Sequence, residues 1–391
     1  QNFIIGVDVG GTFTDVFILD EVSSSTIVAK VPTTPKDQSI GFLSGILTGV
    51  EDLSDAATII HGTTVATNAL LERKGAKTGV ITSTGFKDVL EMRRRDRPNT
   101  WGLWGEFDPV VPRDLRMEVR ERVLADGTIR ERVNVDELKT IGNKLLEQGC
   151  EAVSIVFINS YANDENEKVA RSAVEDIWPN PHVTVSSEIL PEIREFERAS
   201  TATLNAVLQP VLSNYLVALE ETLTTKGFRG QVLIVQSSGG VMSLDIAKAL
   251  PVKTALSGPA AGVIAASHIG MEAGYPNIVS CDMGGTSFDV SLISDGQIKL
   301  AAQTSLDFGM VVRSPMVEII TIGAGGGSIA RVDAGGLLQV GPESAGSDPG
   351  PVCYGLGAKN PTVTDANVVL GRINPENPIG GKLKSLDVSA A

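Results

Sequence analysis

Two stretches of this chain, VDVGGTFTDVFILD beginning at Val7 and CDMGGTSFDVSLIS beginning at Cys281, repeat the pattern D-x-G-G-T-x-x-D-V. Asp8 matches Asp282, Gly10 and Gly11 match Gly284 and Gly285, Thr12 matches Thr286, Asp15 matches Asp289, and Val16 matches Val290. These residue types suit one chemistry. Glycine has no Cβ, so the backbone reaches positive φ and approaches a ligand closely. Successive amides then point into one concavity that holds phosphate oxygens. The threonine hydroxyl adds a donor, and an aspartate at the end of the first strand is a hard oxygen ligand that holds magnesium through its waters. Two such hairpins facing each other would grip a polyphosphate from both sides, in a cleft that closes on nucleotide. One D-x-G-G-T alone reads equally well as a tight turn. A bare turn has no need of the same threonine and both aspartates in two places.

Weaker constellations lie elsewhere. His61, Thr63, Thr64, Thr67 and Asn68 in HGTTVATNA form a polar cluster between an apolar run and a helix start, where side chains and free amides can face a cleft. A helix cap with one buried histidine is the plain alternative. GAGGGS, Gly323 to Ser328 with Gly325 and Gly326 inside it, reads as a third backbone cradle or, equally, as an ordinary loop. Glu192, Glu195 and Glu197 sit at a helix start, where negative charge favours the N-terminal dipole. Arg93, Arg94, Arg95 and Arg97 form the basic cluster, read as a solvated or salt-bridged loop. Trp101 and Trp104 read as packing residues or a subunit contact.

The elements that must position these groups follow from periodicity. FIIGVDVGG and TFTDVFILD predict a strand, tight turn and strand. ATIIHGTTVATNALLERKGAKTGVITS predicts strand, polar turn, helix and strand, with Gly75 stopping the helix. From about residue 93 to 133 periodicity fades, and an irregular excursion from the sheet is expected. CEAVSIVFINS is a buried strand, followed by a helix over ENEKVARSAVEDI. The longest helical pattern runs from near Pro191 to Lys226, with an interruption expected at Pro210. A short helix over LDIAKAL and the GPAAGVIAASHIG segment precede the second hairpin, and beyond it TIGAGGGSIA and SAGSDPGPVCYGLG favour loops. Two lobes are expected, 1–190 with the first hairpin and 191–391 with the second.

A chain of 391 residues exceeds one ordinary core, and 42% hydrophobic with 20% charged residues describes a globular α/β protein. The net charge of −14 argues against a nucleic-acid partner. Cys150, Cys281 and Cys353 are far apart and lack metal-ligand spacing, so reduced cytoplasmic thiols are expected. The opening QNFIIGVDVGG lacks a basic region and cleavage site, and no apolar run suggests a membrane span. The expected location is the cytoplasm.

GVDVGGTFTDV, HGTTVATNALLERKGAKTGVITSTGF, SSEILPEIREFERASTATLNAVLQPVL, QSSGGVMS, LSGPAAGVIAA, DMGGTSFDVSLI, TIGAGGGSIA, SAGSDPGPVCYG and PTVTDANVVLGR cover nearly the whole chain. Together they resemble the signature segments of the hydantoinase A/5-oxoprolinase family, which includes ATP-binding subunits of acetone- and acetophenone-type carboxylases. The resemblance implies an α/β, actin-like ATPase fold (sugar kinase/Hsp70/actin, ribonuclease H-like), with two lobes around a nucleotide cleft and the second lobe incomplete, since family members run on for several hundred residues. It implies ATP and Mg2+, with Asp8 and Asp282 binding the metal or orienting attacking water. Gly10, Gly11, Thr12, Thr14, Gly284, Gly285 and Thr286, with Gly325 and Gly326, would hold nucleotide, and His61 would face the ligand. The implied reaction is ATP-dependent opening of a cyclic amide of hydantoin or 5-oxoproline type, with a hydantoinase B-type subunit or domain as partner and an oligomeric assembly. The alternatives are the ATP-binding subunit of a carboxylase acting on a ketone, an actin-like switch or activase without a small substrate, and a simple sugar or acetate kinase. One departure is Phe288, where the family usually has threonine.

Overall fold

Alternating apolar residues in FIIGVDV and FTDVFILD make an antiparallel meander of β1 (Phe3–Val9), β2 (Phe13–Asp20) and β3 (Thr26–Pro32). This is seen in a computed structural model that describes residues 2–10, 13–34, 38–97, 107–285, 287–346, 349–376, 378 and 383–391. Ile5, Val7, Val9, Val16 and Ile18 point to one face and are buried there under α1 (Gln38–Ile46). The approach is close because position 45 is glycine: a Cβ there would lie 2.6 Å from Val16 Cγ2. β4 (Ala56–Thr63) then pairs parallel to β1, and α2 (Val65–Leu71) follows its turn.

A second sheet is built from β5 (Thr78–Ser83), then α3 (Val89–Met92) and β6 (Arg116–Val119). A small ladder of β7 (Arg122–Val123) with β8 (Ile129–Glu131) leads to α4 (Val135–Glu147) and β9 (Ala152–Val156). Next come α5 (Glu165–Glu175), β10 (Val183–Val185) and α6 (Ser186–Ile189). The sheet order is β10-β9-β5-β6, with every pair parallel. The 93–133 stretch, expected outside the sheet, therefore supplies its edge strand; four residues are too short a run to show a period. Trp101 and Trp104 lie outside the described residues.

Helix α7 (Glu195–Thr225) runs 31 residues without a break at Pro210, against the expected interruption. Every residue from Phe196 to Pro210 is buried. Leu204, Val207 and Leu208 enter the core of the second sheet, while Leu212, Leu216, Leu219 and Leu223, spaced by four, three and four, enter that of the first. By length and composition it could cross a membrane, but 67% of its apolar window is buried in the fold. Gly75 does not stop α2, which ends at Leu71. It lets the chain pass α7: a Cβ would sit 2.1 Å from Val207 Cγ1, and Ala76 N–H donates to Val207 O at 2.9 Å.

β11 (Gln231–Val235) and β12 (Val241–Ser243) return to the first sheet, whose order is β12-β11-β4-β1-β2-β3. α8 (Leu244–Ala249) and α9 (Ser257–Glu272) lead to a third sheet, where β13 (Ile278–Met283) and β14 (Phe288–Ser294) form the second hairpin. Short strands follow: β15 (Gln297–Ile298), β16 (Leu300–Ala301), β17 (Thr304–Asp307), β18 (Met310–Val312), β19 (Met316–Val317), β20 (Ile320–Ile322), β21 (Ser328–Val332) and β22 (Leu338–Ser344), then α10 (Val363–Val369). This region, expected to be mostly loops, holds several ladders whose strands are as short as two residues. Cys150, Cys281 and Cys353 are unpaired.

Candidate functional site

The two hairpins are built alike. β1 and β2 oppose Asp8 to Asp15 and close with Gly10 N–H donating to Phe13 O at 2.9 Å. β13 and β14 oppose Asp282 to Asp289 and close with Gly284 N–H donating to Ser287 O at 2.9 Å. The likeness extends to a third strand. Asp15 faces Lys30 on β3, with Nζ 2.8 Å from Oδ1, and Asp289 faces Thr321 on β20, whose hydroxyl donates to Oδ1 at 2.7 Å. Even the same turn carbonyl is fixed in both copies. Gly10 O accepts the Thr33 hydroxyl at 2.9 Å, and Gly284 O accepts Gly326 N–H at 2.9 Å.

Val7 and Val9 point into the core, so Asp8 between them must project from the opposite face. Solvent reaches its carboxylate, yet protein crowds it on two sides. A Cβ on Gly62 would lie 2.8 Å from Asp8 Oδ1, and one on Gly258 3.2 Å away. Gly62 is the β4 neighbour of Asp8, and Gly258 is in the first turn of α9. Leu256, before that turn, adopts a left-handed φ of 61°, rare for a residue with a side chain. Its N–H donates to Thr67 Oγ1 at 2.9 Å, Ser257 Oγ donates to Thr63 O at 3.2 Å, and Thr64 Oγ1 donates to Val9 O at 3.1 Å. The polar HGTT cluster thus joins the first hairpin to the start of α9, whose N-terminal dipole end sits beside Asp8.

Burial, then the charges of Asp15 and Asp282, push the Asp8 carboxyl from 3.8 up to about 6, with Lys30 pulling the other way. Helix α9 links the two hairpins: its Gly258 walls Asp8, and its Ala260 and Val263 pack with Ile278 and Ile293 of the second.

The hydantoinase/oxoprolinase N-terminal region model matches residues 4–178, and the hydantoinase/oxoprolinase model matches 198–391. The chain belongs to the hydantoinase/oxoprolinase family. It is 38% identical to the acetophenone carboxylase gamma subunit of Aromatoleum aromaticum, over 97% of this chain and 54% of that one. It is 35% identical to the caprolactamase subunit alpha of Pseudomonas jessenii, over 98% and 56%. The crystal structure of ATP-dependent caprolactamase from that organism superimposes with a TM-score of 0.86 at 34% identity, covering 99% of this chain and 57% of the other. Nucleotide-free acetone carboxylase gives 0.82 at 29%, covering 100% and 57%. The chain therefore has the actin-like α/β ATPase fold, and it spans about half the length of these relatives.

Within this hydantoinase/oxoprolinase chain the expected site residues separate into groups. Asp8, Gly10, Asp282, Gly284 and Gly285 lie at the two turns; Gly11, Thr12 and Thr286 lie outside the described residues. His61, expected to face the ligand, is placed in the core. Its ring is 0% exposed, Nδ1 donates to Val7 O at 3.2 Å, and Nε2 accepts the Tyr215 hydroxyl at 2.8 Å. Burial lowers its pKa from 6.5 to about 4, which favours the neutral ring. Thr14 is also fully buried: its hydroxyl donates to Thr33 Oγ1 at 3.0 Å, because the Thr33 proton goes to Gly10 O. Through Thr33 it props the turn from beneath. Gly325 N–H donates to Ser328 Oγ at 2.8 Å and Gly326 N–H to Gly284 O, so both amides serve the protein and brace the second turn.

Gly62 and Gly258, which wall Asp8, were missed as site residues. Their signal was present in HGTT and LSGPAAG, but only the fold shows what each glycine makes room for. For magnesium the donor set fits in part. Among the described residues no three His, Cys, Asp or Glu side chains converge. Two aspartates, one at each turn, suit an ion that completes its shell with water and phosphate oxygens.

Proposed function

We propose that this chain supplies the phosphate loops of an ATP-dependent hydrolase subunit that opens a cyclic amide, of hydantoin or 5-oxoproline type, through a phosphorylated intermediate. The observation that supports the reading is the helix α9 shared by two matched turns distant in sequence: its Gly258 lies against the Asp8 carboxylate, and its Ala260 and Val263 pack with Ile278 and Ile293 of the second hairpin. The lobes are read as 1–190 and 191–391, with β11 and β12 returning to the first sheet.

On this reading Gly11, Thr12, Gly285 and Thr286 offer amides and hydroxyls to phosphate oxygens, while Gly10 and Gly284, whose N–H groups close the turns, let the backbone approach the phosphate closely. Asp8 and Asp282 are the groups that would hold magnesium, which when bound neutralises phosphate charge. In the metal-free protein burial raises the Asp8 carboxyl to about 6, so at neutral pH it is largely ionised and ready to hold the cation. Phosphoryl transfer from ATP to the amide oxygen removes the resonance that resists hydrolysis. Water then adds at the ring carbon and the C–N bond opens, leaving ADP and phosphate as co-products. The second catalytic half is assigned to a hydantoinase B-type partner; relatives named as subunits support an assembly.

The 38% identity to an acetophenone carboxylase subunit favours a second reading, in which a ketone enolate or bicarbonate is phosphorylated instead. ATP turnover by the full-length protein with its partner, measured with hydantoin, 5-oxoproline, or a ketone plus bicarbonate, separates the two. Turnover stimulated by a protein partner alone would point to a switch. Full turnover by both Asp8→Ala and Asp282→Ala enzymes would sink the site assignment.

A further inference from the structure

The start of α9 breaks two rules of helix initiation. Its N-cap is Leu256, an apolar residue with φ 61° and ψ 25° and no side-chain cap. An ordinary N-cap is extended and carries Ser, Thr, Asp or Asn. Among the described residues other than glycine with positive φ, Leu256 is the one aliphatic side chain. A left-handed conformation at such a residue persists only when its surroundings impose it.

The surroundings do so from three sides. Leu256 N–H donates to Thr67 Oγ1 at 2.9 Å, in the first turn of α2. On the side before it, the Ser237 hydroxyl from the loop after β11 lies between the Lys253 and Ala255 carbonyls. On the side after it, the fully buried Ser257 donates its hydroxyl to Thr63 O at 3.2 Å, at the end of β4. Thr67 thus fixes the peptide plane before residue 256, and Ser257 fixes the residue after it. The two torsions between them have no freedom to relax. All three anchors belong to the first sheet or to the helix that follows its β4 strand, whereas Ala260 and Val263, further along α9, pack with Ile278 and Ile293 of the second hairpin. Leu256 is therefore the joint between the two hairpins. Relaxing its φ to a negative value would swing the first turn of α9, and with it Gly258, where a Cβ would lie only 3.2 Å from Asp8 Oδ1.

We propose that Thr67 is a positioning residue for the phosphate site: by fixing Leu256 N–H it holds a strained joint in place, seats the first turn of α9 against Asp8 and so sets where the second turn stands relative to the first. The proposal rests on the phosphate-loop reading. Its plain rival is a bond that anchors a helix and contributes stability alone.

A double-mutant cycle in the intact protein tests it, combining Thr67→Val, which removes the acceptor, with Leu256→Gly, which adopts positive φ without strain. Thr67→Val should weaken MgATP binding about tenfold, read by titration, and Thr67→Ser, which keeps the acceptor, should bind as the parent does. In the Leu256→Gly background the same Thr67→Val change should cost about threefold or less, since glycine has no strain to release. Denaturant unfolding without nucleotide should show the same coupling. Should Thr67→Val not fold alone, the double variant carries the test: it should bind MgATP within about threefold of Leu256→Gly, and a tenfold loss there would overturn the proposal. A Thr67→Val protein that loses stability yet binds MgATP as tightly as the parent, or equal losses in both backgrounds, would leave only the helix anchor. No MgATP binding by the parent would overturn the phosphate-loop reading and this proposal with it, so the two failures are told apart.

Discussion

Asp8 and His61 sit on neighbouring strands, yet burial moves their titrations in opposite directions. The folded Asp8 carboxyl keeps its proton up to about 6, whereas an unfolded one loses it near 3.8. The folded state therefore binds more protons between those values, and stability is lost as pH rises through them. In metal-free protein, Asp8→Asn should be more stable than the parent above pH 6 by about 1 kcal/mol, once solvent screening is counted, with the gap closing below pH 4. Denaturant unfolding across that range reads it directly. For His61 the sign reverses. An unfolded imidazole gains a proton below 6.5 while the folded one resists until about 4, so stability present above 6.5 is lost as pH falls, by about 3 kcal/mol. His61→Phe should cost about 1–3 kcal/mol at neutral pH through its two lost hydrogen bonds and should flatten the acid limb. An unchanged acid limb would show that the ring is not held neutral. The sequence marked both residues, but only the histidine's partners distinguish a ligand group from a positioning one.

At the scale of elements, the two phosphate turns differ in how they are braced. Thr14 and Thr33 hold the first by side-chain hydroxyls, while the second, with Phe288 in place of the threonine, is held by backbone from the GAGGG loop. That loop was legible as glycine-rich, but its role was not, because a run of glycine shows freedom of backbone and not which neighbour it meets. Thr33→Val should cost about 1 kcal/mol and weaken nucleotide affinity while leaving the second hairpin intact. Gly327→Ala should do more harm, since its Cβ would lie 2.8 Å from Ser344 Oγ and 3.0 Å from Gly285 O. Nucleotide titration of each variant checks the order. The hairpins, β4, α2 and α7 were readable from period and punctuation. β6 and the ladders after β14 were not, because strands of two to four residues carry too few side chains to show alternation.

For the whole molecule, a ligand held by both turns stabilises only the state in which they face each other. Saturating MgATP at 100 times its dissociation constant should stabilise the protein by about 2.7 kcal/mol. Asp282→Ala should lose most of that gain although it leaves the first hairpin untouched. An undiminished thermal shift in the variant would mean that one turn suffices.

Helix α7 fills the interiors of two sheets in succession, one with its first half and the other with its second. Severing the polypeptide within 195–225 would leave each fragment with an open hydrophobic wound. Split expression at that point should yield pieces that aggregate alone and regain solubility only when produced together.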